Sequence, residues 1–222
     1  MRILLLSKTT HWCKVAQRFA RLAFRDVTIA EGERGDPLPE SLEDWEGDCI
    51  LSFLSSWIIP GKLLRQARVA AINFHPAPPE YPGIGCYNFA IYDGVSQYGV
   101  TCHRMEPKVD VGAIVQVQRF PLFPWDTVES LKDRAMVRML QLFFEICECI
   151  IHGDPLPVSS EEWTRVPYTR KELNELCQIN QSMDEQEVTR RVRATVFPGF
   201  PGAHVCIGGH KFNYSGSVSG RP

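Results

Sequence analysis

The chain has 222 residues, 44% hydrophobic and 23% charged, with a formal net charge of −2. That length gives one soluble domain, with room for a small appendage, and buries a real core. The charge excludes a broad electropositive surface for nucleic acid, and no basic run reads as a phosphate-binding arm. No apolar run approaches the ~18 residues of a membrane span. The N-terminal apolar run is also too short for a signal peptide, so a cytoplasmic protein with reduced thiols is expected. The 8 cysteines lack metal-type spacing. Each reads as a small buried hydrophobe, and no metal is expected.

Residues 2–6 are a short apolar run that reads as a buried parallel strand. Thr10 precedes Val15, Phe19, Leu22 and Ala23 at helical spacing. Residues 26–30 read as a second strand, 32–46 as a polar loop, and 49–54 as a strand deep in the sheet. Pro60 opens a short helix through Leu64, and residues 69–75 form a fourth strand. This alternation predicts an α/β core of Rossmann-like type with a mostly parallel sheet. The proline-dense stretch 76–85 is a semi-rigid loop rather than a helix. Helical spacing resumes over 87–92, and two strands follow over 99–105 and 113–120. The longest helix spans 127–151 and stops at Gly153-Asp154-Pro155.

A second region follows. Thr169 is an N-cap candidate, and residues 182–194 read as a helix with Ser182 at its N-cap. Residues 203–207, a Gly208-Gly209 turn and residues 211–214 make a hairpin. The expected organisation is a catalytic core over 1–155, a small helix and β-hairpin region over 156–214, and a disordered tail over 215–222.

The strand ending at His75 delivers Asn73 and His75 to one face, because side chains alternate with period two. In open α/β sheets ligands bind outside the carboxyl ends of strands. An amide can stabilise an oxyanion, an imidazole near neutral pH can move a proton, and a carboxylate such as Asp110 can orient and charge that imidazole. These are the needs of acyl transfer to an amine. An isolated Asn-x-His is more often a turn cap and a satisfied core histidine.

The segments around it change that balance. Asn73-Phe74-His75-Pro76, the strand Gly99-Val100-Thr101-Cys102-His103-Arg104-Met105 and the loop Val109-Asp110-Val111-Gly112 resemble, in order and spacing, the folate-dependent formyltransferases. That family includes methionyl-tRNA formyltransferase, glycinamide ribonucleotide transformylase and the nucleotide-sugar N-formyltransferases. The similarity runs over residues 51–120. It implies Asn73, His75 and Asp110 as catalytic residues. It implies N10-formyltetrahydrofolate as co-substrate, lying against Ser55, Trp57, Ile58 and Ile59 and against Val109, Val111 and Gly112. One departure is the loop Ala77-Pro78-Pro79-Glu80-Tyr81-Pro82-Gly83, where many relatives carry a Ser-Leu-Leu-Pro-type run with a basic residue. Acceptor contacts of that loop do not carry over. His103 reads either as a hydrogen-bonded strand histidine that shapes the pocket or as an acceptor contact.

The relatives acting on tRNA carry a larger basic C-terminal domain, whereas this chain ends soon after Tyr214. The segment 192–203 is similar to one in nucleotide-sugar N-formyltransferases. The resemblance therefore implies an amino deoxy sugar linked to a nucleoside diphosphate as acceptor, and a homodimer; the lack of a long apolar run argues against a membrane partner, and the charge argues against a nucleic-acid partner without excluding it. Arg104, Arg170, Lys171 and Arg193 are available cations, and Trp57, Tyr81, Tyr87 and Phe89 available rings. Tyr81 and Tyr87 are the candidate acceptor contacts, because they follow His75 at once. Three rival readings remain: a formyltransferase on methionyl-tRNA or glycinamide ribonucleotide, a formyltetrahydrofolate hydrolase, and a binding protein without turnover.

Overall fold

The structure, a computed structural model, describes residues 1–216. Most of the tail expected to be disordered, 217–222, lies outside the described residues. Six strands form the central sheet: β1 (Arg2–Ser7), β2 (Asp26–Glu31), β3 (Gly47–Phe53), β4 (Ala67–His75), β5 (Gln97–Arg104) and β6 (Ile114–Pro121). Their order is β2-β1-β3-β4-β5-β6. The first four run parallel, and β5 and β6 are antiparallel additions at one edge. The expected α/β architecture with a mostly parallel sheet is what forms.

The helices are α1 (His11–Ala23), α2 (Gly61–Arg65), α3 (Cys86–Asp93), α4 (Val128–His152), α5 (Arg170–Cys177) and α6 (Glu185–Thr195). Thr10 caps α1 by accepting from the Cys13 N–H. Thr127 and Ser130 cap α4 reciprocally, and Gly153 ends it at φ 74°. One sheet face packs against α1, α3 and α4, where Phe53, Phe74 and Phe143 meet edge to face or tilted. The other face buries Leu4, Leu6 and Ile50 under Leu42, Trp45, Ile59 and Leu63. Leu42 belongs to a 3-10 turn, Glu40–Leu42, inside the expected 32–46 loop.

Three local expectations are corrected. Leu54 is not in β3: it sits at φ 58°, in the left-handed region, and turns the chain out of the sheet. The N-cap of α6 is Asp184, whose side chain accepts from the Glu187 N–H, while Ser182 bonds Asn180 instead. A carboxylate at that position also meets the positive end of the helix. The hairpin, β8 (His204–Ile207) and β9 (His210–Asn213), forms as expected but gains a third strand, β7 (Gln178–Ile179).

Candidate active site

The carboxyl ends of β3 and β4 carry the first polar groups. Register sets Ser52 beside Asn73 and Phe53 beside Phe74, so Ser52, Asn73 and His75 share the face opposite the phenylalanine core. On the antiparallel neighbour, His103 lies directly across from Asn73 and Thr101 across from His75. Cross-strand pairing therefore brings in an imidazole that is 30 residues away in the chain.

Asp110 completes the group from the β5–β6 loop. It is 4% exposed, beside His75 at 6% and His103 at 2%. Its oxygens stand 3.4 Å from His75 Nδ1 and 3.3 Å from His103 Nε2, and the Gly83 N–H donates to it at 2.8 Å. Burial opposes ionisation of this carboxyl. The two imidazoles and the Gly83 N–H outweigh it and hold the carboxyl well below the usual range. Asp110 adopts φ 48°, a strained conformation for a residue with a side chain. Two residues on, Gly112 packs so close that a Cβ there would lie 1.9 Å from the Arg104 carbonyl.

His103 Nδ1–H donates to the Arg104 carbonyl at 2.9 Å, and its Nε2 lies 3.0 Å from the Asn73 side-chain nitrogen and 3.3 Å from an Asp110 oxygen. This orients the Asn73 nitrogen, rather than its oxygen, toward His103 and leaves its second N–H unused. His75 Nε2–H donates to the Tyr81 carbonyl at 3.0 Å. Both nitrogens of His75 thus face oxygens, and a substrate proton reaches the ring only by displacing one of them.

A cavity of about 100 Å³ opens beside this group. It is lined by Asn73, His103 and Asp110 together with Ser55, Trp57, Ile58, Ile59 and Val109. Of the residues expected to hold a folate, Val111 is exposed and Gly112 packs against Arg104; neither lines this cavity. Tyr81 is buried, with its hydroxyl on Asp93 at 3.0 Å, and reaches the site through its carbonyl. Tyr87 is half-buried, lies near Tyr98 and lines a different cavity.

The pattern of the formyl transferase family matches residues 17–145. The chain belongs to the formyl transferase family. It is 30% identical over 167 residues to a GDP-perosamine N-formyltransferase of Brucella melitensis, covering 75% of this chain and 63% of that protein. It is 27% identical over 175 residues to a methionyl-tRNA formyltransferase of Enterococcus faecalis, covering 77% of this chain and 56% of that protein. The matched part is thus under two thirds of either relative. Among solved structures, a sugar N-formyltransferase from Shewanella superposes with a TM-score of 0.78 at 20% identity, over 98% of both chains. An N-formyltransferase of Helicobacter canadensis, solved with folinic acid and dTDP-3-aminofucose, superposes with a TM-score of 0.74 at 16% identity, over 94% of this chain and 85% of that one. At those identities the likeness is one of fold.

One group beside these side chains escaped the sequence. Trp163, outside the family match, donates its indole N–H to the Gly112 carbonyl at 2.8 Å. Its ring stands edge to face with His103 at 5.0 Å and with His75 at 6.0 Å. It comes from the connection 153–169, which has no periodicity. A lone tryptophan among Ser, Glu and Thr was the only signal.

Proposed function

We propose that this protein transfers a formyl group from a reduced-folate donor to the amine of a sugar linked to a nucleoside diphosphate. The observation that carries the reading is the buried group of Asn73, His75, His103 and Asp110 at the strand ends, open to a cavity through Asn73, His103 and Asp110. The cavity suits a flat heteroaromatic ring. Its rim offers Ile58, 71% exposed, and half-exposed Val109 as apolar contacts. Ser56, between two lining residues, holds a buried hydroxyl with no partner among the described residues. The donor would supply a formyl carbon already activated on nitrogen.

The residues then divide the work. The unused N–H of Asn73 points its positive end at negative charge gathering on the formyl oxygen; one such donor is worth roughly 3 kcal/mol. His75 takes the proton that the attacking amine loses as its nitrogen bonds the formyl carbon, once one of its ring nitrogens leaves its oxygen partner, and returns it to the folate nitrogen as the bond from that nitrogen to the formyl carbon breaks. Asp110 compensates the resulting positive charge and fixes the ring. His103 orients Asn73.

The sugar acceptor is supported by the names of the relatives, one of which acts on GDP-perosamine and another of which was solved with dTDP-3-aminofucose. Methionyl-tRNA is the second reading, favoured by the Enterococcus relative. The test is tetrahydrofolate release from formyltetrahydrofolate with a panel of amino-sugar nucleotides, with charged initiator tRNA, and with no acceptor. Release with one sugar nucleotide supports the proposal. Release only with tRNA moves the acceptor, and equal release without acceptor makes the protein a hydrolase.

A further inference from the structure

Two irregular segments cover the reactive group, and one cation joins them. Arg119 on β6 stands across from Gly99 on β5. A Cβ at Gly99 would lie 3.4 Å from Arg119 Cγ and 3.3 Å from Pro78 Cβ, so the glycine leaves room for the arginine stem to pass Pro78 toward the proline loop. The Arg119 guanidinium donates to both oxygens of Glu80, at 2.9 and 3.4 Å, and to Glu161. Glu80 belongs to the 76–85 loop and Glu161 to the 156–168 connection. Among the described residues neither carboxylate has another cation within ion-pair distance.

Both segments need such a tie. Pro76, Pro78, Pro79 and Pro82 have no N–H to donate, so the loop is bonded mainly through its carbonyls. The 156–168 connection has no helix or strand, and Val158 and Val166 stay 92% and 76% exposed, so they anchor nothing. Both segments also touch the reactive group. Glu80 immediately precedes Tyr81, whose carbonyl accepts from His75, and Gly83 follows with the N–H that holds Asp110. Glu161 lies just before Trp163, whose ring stands against both imidazoles. Arg119, Glu80 and Glu161 themselves stay clear of the cavity beside Asn73. Without the arginine, two carboxylates would face each other across the seam and repel.

We propose that Arg119 is a positioning residue: by clamping Glu80 to Glu161 it sets the Tyr81 carbonyl and the Gly83 N–H, and through them the placement of His75 and Asp110 for formyl transfer. The catalytic part rests on the formyl-transfer reading; the clamp does not.

The test is Arg119→Gln, which keeps a stem over Gly99 and removes the charge. Hydrogen exchange is followed by NMR on the full chain without ligand, beside turnover with whichever acceptor the wild type uses. The His75 Nε2–H and the Gly83 N–H should exchange about tenfold faster, as local opening becomes easier. The His103 Nδ1–H, held by the Arg104 carbonyl within β5, should keep its rate. Turnover should show kcat lowered about 10–10²-fold with KM for donor and acceptor unchanged. The unfolding midpoint should hardly move, because part-exposed ion pairs contribute little, and this separates placement from general stability. Arg119→Lys, a cation without the planar fork, should fall between wild type and Arg119→Gln. Glu80→Gln added to Arg119→Gln should restore kcat about threefold by removing the repulsion. Lys62→Ala, at the surface beside Asp44, serves as the neutral control. Unchanged exchange at His75 and Gly83 in Arg119→Gln would overturn the clamp, whatever happens to turnover. Faster exchange at normal kcat would overturn the positioning role. A further fall in the double variant would mean that Glu80 acts apart from Arg119, and would overturn it too. If the wild type formylates no acceptor, the exchange rates still decide the clamp, and only the reaction is lost.

Discussion

At the carboxyl edge of the sheet, Asp110, His75 and His103 are each held by two or more partners. Asp110 meets two imidazoles and a backbone N–H, His75 meets Asp110 and a carbonyl, and His103 meets Asn73, Asp110 and a carbonyl. The region after α4 is built the other way. Residues 156–168 cross the sheet end with no helix or strand of their own, and α5, α6 and the three-stranded sheet are largely exposed. Yet this loose region reaches the site at chosen points. Arg119 on β6 bridges Glu80 of the proline loop and Glu161, Trp163 bonds Gly112, and Tyr168 exchanges backbone bonds with Pro82 and Ile84. The difference separates two jobs. On the proposed function, the rigid sheet end holds groups that must be placed to a fraction of an ångström for chemistry, while the region after α4 shapes what comes near them.

The sharpest way to break this division is to remove sheet-end groups. Asn73→Ala should lower kcat about 10²–10³-fold, and His75→Asn or Asp110→Asn about 10²–10⁴-fold, with donor binding retained by calorimetry. Near-normal turnover in any of them would show the chemistry lies elsewhere. Trp163→Phe keeps a ring beside the imidazoles but loses the bond to Gly112. About a tenfold fall in kcat at unchanged donor affinity is expected, and a larger fall for Trp163→Leu. Equal effects of the two would assign the ring no part. Gly112→Ala should cost about 1–3 kcal/mol in denaturant unfolding, because the new methyl meets the Arg104 carbonyl. Asp184→Ala, in the appended region, should cost only about 1 kcal/mol and leave turnover unchanged.

A pH series sharpens the same contrast. The Asp110 carboxyl titrates lower in the folded chain than its unfolded value of about 3.9. The stability it contributes is complete above that value and is lost as pH falls through the folded value. Below about pH 4, wild-type stability should therefore drop more steeply than that of Asp110→Asn. Parallel curves would mean that the histidines and Gly83 do not favour the ionised form.

Much of the sheet end was legible because its signals are local. Apolar runs mark β1 and β3, and period two places Asn73 and His75 on one face. The role of His103 was not, since it depends on β5 pairing antiparallel to β4 in one register. Trp163 was not, because irregular backbone leaves no period to read. The Ser182 cap failed by competition: Asn180, Ser182 and Asp184 all suit turns or caps, and only packing of α6 chooses.

The bonds of Trp163 and Tyr168 also concern time. The sheet strands are complete by Pro121, but the groups that steady the Asp110 loop and the Gly83 N–H come some forty residues later in the chain. A refolding molecule can form its sheet before these late pieces dock, since long-range closure is slower than local structure. Recovery of turnover should then lag behind recovery of the sheet's circular dichroism, and the lag should lengthen in Trp163→Leu.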